Sequence, residues 1–377
     1  MNKALIALIF LGLLLAGCTE QPKDFGAFDP KTEAPQPVLH KIGLLQPLTG
    51  DVAAIGVSVK EAVQMAIDDL NSKNFPSARF ELIAEDGKCT GAAAASAGNK
   101  LINLDKVKFI VGGGCSGETL AVTPVAEKAG VLMLSPLSSS PKITTAGDFV
   151  FRDYPSDEFQ GAFGAEYMYN ELKARKVAVL YSNSDWGVPI KDRFKARFVE
   201  LGGTIVAEEA VDDKAQDVRT QLTKIKVAGP DAIYMPQYAG AAAIILKQAR
   251  EMGLNVPLLN GDAGNDPKII EVAGSAAEGA LATVPFSEPP TEWTKRFEEY
   301  SGHEVRLGSA HAYDAMMLLG KAILEQGHDP VKVKNYFYKM PAYQGVSGEI
   351  RFDINGDLAN AKYSVLVIRN GKFEKVY

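Results

Sequence analysis

Residues 111–144 have the sequence VGGGCSGETLAVTPVAEKAGVLMLSPLSSSPKIT, and this stretch decides the fold. One short apolar run ends at its start (residues 107–111), and a second lies inside it (residues 131–134). Gly, Ser and Pro bound these runs, a pattern typical of buried parallel strands. Residues 118–129 between them are predicted to form a helix. The stretch is therefore predicted to be a strand–helix–strand unit.

Small hydroxyl residues follow both predicted strands. Ser116 follows the first, and Ser135 and the serines at residues 138–140 follow the second. Ligands of open parallel sheets bind outside the carboxyl ends of the strands. The first loop also opens a helix, whose free N–H groups favour an anion. We therefore expect the negative end of a small ligand at this edge of the sheet.

The alternation of strands and helices extends over most of the chain. It starts at His40, restarts after residues 149–152, and includes predicted helices at residues 157–175 and 215–227. Such alternation predicts parallel sheets covered on both faces, and about ten such units are too many for one core. The predicted fold is therefore α/β, with two doubly wound parallel-sheet lobes.

The last third of the chain has a different order, because predicted helices are followed by predicted strands. The first two of these strands, residues 348–352 and 362–368, flank Asn355-Gly356. Asn-Gly is a hairpin turn signal, so we expect these two strands to pair.

Composition and residue spacing argue against a nucleic-acid partner and against a bound metal. The chain has 377 residues, of which 46% are hydrophobic and 23% charged, as is ordinary for a globular protein. The net charge of −6 and the lack of a basic patch with interleaved aromatics argue against nucleic acid. No group of residues has metal-ligand spacing. We therefore expect no metal and no cofactor.

The first residues have the pattern of an export signal. Lys3 precedes an apolar run at residues 4–15, and residues 1–17 are predicted to be a signal peptide. A membrane anchor is the alternative, but the run is shorter than the ~20 residues that cross a bilayer. Residues 15–18, Leu-Ala-Gly-Cys, resemble a lipobox, which implies lipidation of Cys18 and a membrane anchor. Residues 18–39, with four prolines, are predicted to be a flexible tether.

Cys89 and Cys115 remain after the predicted processing. In an exported protein, two such cysteines favour a disulfide over free thiols. Each follows a predicted strand, so both lie at one sheet edge if those strands are neighbours.

Residues 112–117 match two enzyme motifs. They fit G-x-G-x-x-G, but they lie in the third unit and no acidic residue ends a strand about 20 residues later, as a dinucleotide site requires. They also have the shape of a nucleophile elbow. No histidine lies at a predicted strand end of the same sheet, and a disulfide removes the Cys115 thiol. We therefore expect a protein that is not an enzyme.

Three residues of the second lobe follow predicted strands. Asp262 lies in a Gly-flanked loop and faces the serine loops if the lobes form a cleft, although it is equally suited to cap the next helix. Trp186 and Tyr238 either line a ligand site or pack in the hydrophobic core. Residues in a loop after a strand seldom belong to the core, so this position favours the ligand site.

The chain from His40 to Tyr377 resembles the type I periplasmic binding proteins, and within them the leucine/isoleucine/valine-binding family. The resemblance is carried by the first strand and loop, by the two serine loops and by the second-lobe residues named above. These segments are residues 42–50 (IGLLQPLTG), 114–116, 132–141, 185–187, Tyr238 and Asp262. Cys89 and Cys115 also match a disulfide pair of the family.

The resemblance implies an α-amino acid ligand held between two lobes. Ser116, in the first serine loop, and Ser139, in the second, would bind its carboxylate, and Ser138, beside Ser139, is also predicted to contact the ligand. The Leu137 carbonyl, the Ser139 hydroxyl and Asp262 would bind its ammonium, and Trp186 and Tyr238 would cover it. Asp262 stands where Glu is common in the family, Trp186 where Tyr is usual, and Ile55 where an aromatic can line the side-chain pocket. These departures affect the ammonium contact and the side-chain preference.

The implied architecture has two lobes. Lobe 1 would comprise residues 40–153 and 286–347, and lobe 2 residues 154–285 and 348–377. Crossovers are expected near residues 152–157, 284–287 and 347–352. The implied function is substrate binding for an ABC importer, by a monomer that docks on a membrane permease. A ligand sensor or enzyme-activating lipoprotein of the same fold is the alternative, and short amides or urea are alternative ligands.

Overall fold

The computed structural model describes residues 37–72 and 78–377. The predicted signal peptide, the lipidation site Cys18 and the tether up to residue 36 lie outside these residues. Val38 and Leu39, assigned to the tether from the sequence, belong instead to the first strand. Within the described ranges, no helix has both the length and the apolar character needed to cross a membrane.

The first sheet has five parallel strands in the order β2-β1-β3-β4-β5. The strands are β1 (Val38–Gln46), β2 (Ala78–Asp86), β3 (Phe109–Gly112), β4 (Leu132–Ser135) and β5 (Val150–Arg152). The helices between them are α1 (Ala53–Ser72), α2 (Gly91–Asn99, continued by π-helical Lys100–Leu104) and α3 (Ser116–Ala129). Strand order reverses between β1 and β3. The loops after these two strands therefore flank a crevice suited to a ligand.

The second sheet has the order β14-β13-β10-β9-β8-β6-β7, in which β13 (Tyr363–Arg369) and β14 (Lys372–Lys375) are the last two strands of the chain. Its parallel strands are β6 (Lys176–Ser182), β7 (Thr204–Val211), β8 (Ala232–Tyr234), β9 (Leu258–Asn260) and β10 (Leu281–Pro285). Its helices are α4 (Asp157–Asn170), α5 (Gly187–Glu200), α6 (Arg219–Ala228), α7 (Ala239–Glu251) and α8 (Pro267–Ala273). Strand order reverses between β6 and β8, whose following loops carry Trp186 and Tyr238.

The chain then returns to the first sheet. Helices α9 (Thr291–Ser301), α10 (Ser309–Gln326) and α11 (Pro330–Phe337) pack with α1 on one face, and α2 and α3 cover the other. Helix α10 has 14 buried residues among its 18, which explains its nearly continuous apolar sequence. The second sheet is likewise covered on both faces. The α/β fold with two doubly wound lobes is confirmed.

The two strands predicted to pair across Asn355-Gly356 do not pair with each other, although the chain does turn back there and Phe352 forms an antiparallel bridge with Leu358. The strand before this turn is reduced to β12 (Glu349–Ile350), which pairs with β11 (Tyr343–Gln344). The strand after it, β13 (Tyr363–Arg369), pairs antiparallel with β10 and with β14 (Lys372–Lys375). Two-residue strands leave no periodic signal, so the sequence did not show β11.

The third crossover, that is, the third passage of the chain between the two sheets, was predicted near residues 347–352. It comes later in the chain. Ile350, Phe352 and Leu358 are buried in the apolar cluster of the first sheet. The chain therefore crosses between Leu358 and β13. The other lobe boundaries given above stay predictions.

Two predicted helices of the second lobe are too long. Helix α4 ends at Asn170 because the chain turns at Lys173, which has a φ of 56°. Helix α6 starts at Arg219 because the Val218 N–H donates to Gln248 Oε1 of α7 instead of entering the helix (2.8 Å).

A buried ion pair ties the first passage to the third. Arg152, the last residue of β5, is 0% exposed, and its Nε and Nη2 donate to both carboxylate oxygens of Asp357 (2.7 and 2.8 Å). Its Nη1 donates to the carbonyl oxygen of Ser140 (2.8 Å), and Nη2 also donates to Thr144 Oγ1 (2.9 Å). One side chain therefore fixes the second serine loop and both passages.

Replacing Asp357 with Ala would leave this guanidinium buried without its carboxylate. Removing one partner of a buried ion pair costs about 3–5 kcal/mol, and we expect the free energy of unfolding to fall by about that amount. Urea unfolding measures it. Glu374→Ala, which removes the partner of the exposed Arg369, is the matched control and should have little effect. Equal losses in the two variants would contradict the assigned role of Asp357.

Candidate ligand-binding cleft

Loops from both sheets line one cleft of about 430 Å³, counting the space open to solvent. Seven of the eight predicted ligand residues lie in its wall. They are Ile55, Ser116, Leu137, Ser139, Trp186, Tyr238 and Asp262. The other wall residues are mostly apolar, and none of them was predicted from the sequence to contact the ligand. They are Pro47, Val52, Gly114, Cys115, Ala263 and Leu307.

Ser138, the eighth predicted residue, is not part of the wall. It is buried, its Oγ donates to the Gly113 carbonyl oxygen (2.8 Å), and it shares a hydrogen bond with Thr119 Oγ1 (2.7 Å). Ser135 Oγ donates to the same carbonyl (2.8 Å). These two serines hold the serine loops together, which leaves Ser139 to face the cleft.

Ser116 is the first residue of α3, next to Cys115. Cys115 forms a disulfide with Cys89, with the two Cα atoms 5.3 Å apart, as the sequence predicted. The Ser140 N–H donates to Ser116 Oγ (3.1 Å). Because that bond uses a lone pair, the Ser116 hydroxyl hydrogen is left to donate to a ligand.

Glu118 occupies the third position of α3 and was missed in the sequence. It is fully buried, and its carboxylate accepts from the N–H groups of Gly114 (2.9 Å), Cys115 (3.0 Å) and Cys89 (2.9 Å). Burial raises the pKa of Glu118 to about 7, although these hydrogen bonds oppose the rise. The predicted anion site therefore offers fewer free N–H donors to a ligand than expected, because the Glu118 carboxylate accepts from two of them. A Glu three residues after the N-cap is a capping signal that could have revealed this.

Asp262 lies on the opposite side of the cleft, at the start of a 3₁₀ turn after β9. Its Oδ2 accepts from the Tyr154 hydroxyl (2.6 Å), and its Oδ1 accepts from the Ala263 N–H (3.0 Å). Burial raises the pKa of Asp262 to about 6, despite these bonds. Tyr154, in the first passage, was not identified from the sequence.

A second acid, Asp157, lies behind Ser139. Ser139 Oγ donates to Asp157 Oδ2 (2.8 Å), while Asp157 Oδ1 has no hydrogen-bond partner within residues 37–72 and 78–377. Burial and the charge of Asp262 raise the pKa of Asp157. A buried carboxylate with one unpartnered oxygen, next to a second buried carboxylate, favours a positively charged group nearby.

Trp186 and Tyr238 contact each other over the cleft, with ring centroids 4.9 Å apart. A Cβ at Gly261 would lie 3.0 Å from Trp186 Cζ2, so the indole position depends on this glycine. The cleft thus combines a hydroxyl donor, one buried acid in its wall, a second buried acid behind Ser139, and apolar walls. Within the described residues, no three His, Cys, Asp or Glu side chains are grouped to hold a metal.

Two lobes with three passages and a cleft between them define the class of type I periplasmic binding proteins. A model of the periplasmic binding protein family matches residues 40–372. The chain therefore belongs to this family, in its leucine/isoleucine/valine-binding branch, and the resemblance seen in the sequence is confirmed. Proteins of this family are substrate-binding proteins and not enzymes.

Several relatives cover nearly the whole chain. The leucine-, isoleucine-, valine-, threonine- and alanine-binding protein of Pseudomonas aeruginosa is 30% identical over 332 residues, which are 86% of this chain and 88% of the relative. A leucine-binding protein of Thermotoga maritima is 32% identical with a TM-score of 0.84, covering 90% and 98% of the two chains. A branched-chain amino acid transporter substrate-binding protein of Streptococcus pneumoniae, solved with isoleucine, is 29% identical with a TM-score of 0.82, covering 90% and 99%.

Replacing Glu118 with Ala would leave three N–H groups without their acceptor. A buried unsatisfied donor costs about 1–3 kcal/mol, so we expect the free energy of unfolding at pH 8 to fall by at least ~2 kcal/mol. Urea unfolding of Glu118→Ala and of the exposed control Glu81→Ala measures the difference. If both variants are as stable as the parent, Glu118 does not organise the loop.

Proposed function

We propose that this protein is the extracytoplasmic substrate-binding lipoprotein of an ABC importer, and that it binds a small aliphatic amino acid between its lobes. The observation that carries the proposal is the cleft itself. It places the Ser116 hydroxyl, from the first lobe, and the Asp262 carboxylate, from the second, around one apolar space. A donor and a carboxylate in one small site suit a zwitterion with an apolar side chain.

The α-carboxylate would bind the Ser116 hydroxyl, whose hydrogen is free to donate. The α-ammonium would bind Asp262, the Leu137 carbonyl and Ser139 Oγ. Since the Ser139 hydroxyl donates to Asp157, its oxygen is left as an acceptor, which suits the ammonium better than the carboxylate. Asp157 would add a second negative charge behind it. Charge-assisted bonds at both ends would fix the orientation of the ligand.

The side chain would lie against Val52, Ile55 and Leu307, beneath Trp186 and Tyr238. An aliphatic side chain is stabilised there by burial, at roughly 25 cal/mol per Å². The relatives support this preference, since one is a leucine-, isoleucine-, valine-, threonine- and alanine-binding protein and another was solved with isoleucine.

Closure of the lobes about the three passages would follow ligand binding, and the closed monomer would dock on the membrane permease. The signal peptide at residues 1–17 would direct export. Lipidation at Cys18 would anchor the protein, with the following proline-containing residues as the tether.

A thermal-shift screen tests the ligand class. The panel is the twenty amino acids with acetamide and urea. Leucine, isoleucine or valine at 1,000 times its Kd should stabilise the protein by ~4 kcal/mol and raise the melting midpoint by several degrees. Ser116→Ala and Asp262→Ala should each weaken binding roughly tenfold or more, or ~1.4 kcal/mol. The exposed control Asp212→Ala should bind as the parent does.

Other results of this screen would change the proposal. A shift only with acetamide or urea would remove the ammonium role of Asp262. No shift with any small molecule would favour a sensor or an enzyme-activating lipoprotein, and the search would turn to a protein partner.

Binding should weaken in acid, because a proton on Asp262 competes with the ligand ammonium. With a pKa of about 6 in the free protein, affinity should be constant above about pH 7 and fall about tenfold per unit well below pH 6. Titration calorimetry from pH 5 to 8 measures this, with Asp262→Asn as the control that lacks the acidic fall.

The stability of the free protein should change in the opposite direction. Because burial raises the folded-state pKa of Asp262 above its unfolded value, the folded state holds the proton more tightly. This group therefore stabilises the folded state as pH falls from about 6 towards 4.

In the calorimetric titration described above, a binding affinity that stays constant down to pH 5 would contradict the role of Asp262 as the ammonium partner.

A further inference from the structure

Two ion pairs connect the two lobes beside the ligand cleft. Lys268 Nζ, on α8 of the second lobe, donates to Asp51 Oδ1 in the loop after β1 (2.5 Å). Lys142 Nζ, in a 3₁₀ turn of the first lobe, donates to Asp185 Oδ1 in the loop after β6 (2.8 Å). Each pair therefore joins a loop of one sheet to a segment that belongs to the other.

These ion pairs lie at the mouth of the cleft. Asp51 directly precedes Val52, and Asp185 directly precedes Trp186, and both of these neighbours are wall residues. The two carboxylate side chains are themselves about half exposed (50% and 48%) and do not line the cleft. They can therefore join the lobes at the rim without touching a ligand.

Each carboxylate also reaches the first turn of a helix in the opposite lobe. A Cβ at Gly240, the second residue of α7, would lie 3.3 Å from Asp51 Oδ2. A Cβ at Gly117, the second residue of α3, would lie 3.7 Å from Asp185 Oδ2. The first turn of a helix has free N–H groups and favours a negative charge. Because α7 has no acidic residue in its first turn and no side-chain cap at Tyr238, Asp51 supplies that charge from across the cleft.

The two contacts are built in the same way from the two sheets. In each, the acid follows a strand at which the strand order reverses, β1 or β6. The helix that it approaches follows the strand on the other side of the reversal in the opposite sheet, β8 or β3. The lysine comes after the next strand of that opposite sheet, β9 or β4. Two unrelated segments of sequence thus form the same contact, which chance surface ion pairs would not do.

We propose that Asp51 and Asp185 are positioning residues, which with Lys268 and Lys142 form a latch that holds the lobes closed over the ligand. When the lobes separate, each carboxylate loses both its lysine and its helix, since both partners belong to the opposite lobe. Contacts made only in the closed form raise its population, and the affinity for a ligand of the cleft rises with that population. Because the ion pairs are exposed, salt screens them and weakens the latch.

The affinity of the full chain for leucine tests the latch, and this test rests on the proposed function. Exposed ion pairs and charges at helix ends have modest effects, so Asp51→Asn and Asp185→Asn should each weaken binding about threefold, and the double variant about tenfold. The loss should appear as faster dissociation. Raising sodium chloride from about 0.05 M to about 0.5 M should weaken binding to the parent and have little effect on the double variant. The control Glu209→Gln, which breaks a bond to Lys224 within the second lobe (2.9 Å), should behave as the parent does.

Cross-linking tests the contacts without relying on a ligand. A water-soluble carbodiimide joins a lysine to a carboxylate that it contacts, and peptide mapping by mass spectrometry identifies the joined residues. Both pairs across the mouth should be cross-linked, in higher yield when leucine is present. The pair within the second lobe, Lys224 with Glu209, should be cross-linked equally with and without leucine.

Three results would overturn the latch. They are parent affinity in the double variant, the same fall in affinity with salt in the parent and the double variant, and the absence of both cross-links across the mouth under all conditions. If leucine fails to bind while these cross-links form, the proposed amino acid function fails and the latch stands.

Discussion

The buried bond between Arg152 and Asp357 constrains the arrangement of the cleft. Its guanidinium lies at the end of the first sheet, directly before the chain leaves for the second lobe, and its carboxylate partner lies just before the last crossing. The same guanidinium is fully buried, and it also donates to the Ser140 carbonyl oxygen. Ser140 in turn donates to Ser116. The position of the Ser116 hydroxyl in the cleft thus depends on an ion pair outside it.

The sequence predicted the parts of the structure that repeat. The strand–helix–strand pattern gave both parallel sheets, and the rule that ligands bind at strand ends brought Ser116, Ser139, Tyr238 and Asp262 to one cleft. The pattern could not decide which serine of residues 138–140 faces the ligand space. That choice depends on the Gly113 carbonyl, which binds Ser138 from another loop.

Residues that act behind the wall were missed for a related reason. Glu118, Tyr154 and Asp157 lie near helix starts or in a crossing, where polar side chains are common for structural reasons. Their importance comes from burial and from partners distant in the chain, such as Cys89 for Glu118 and Asp262 for Tyr154. Periodicity carries no information on such contacts. The result is a cleft region with three buried carboxylates, which makes a positively charged group on the ligand more important than the sequence suggested.

The ends of the second sheet carry charged side chains that oppose edge-to-edge association. Strand β14, at one end, has the sequence KFEK, and Glu208 of β7, at the other, pairs with Lys191 and Lys195. Charged side chains on an edge strand oppose pairing with the edge of another molecule, because a second strand would have to desolvate them. Two copies of this chain that met edge to edge would have to bring these charged borders together, which opposes the joining of their sheets into fibres.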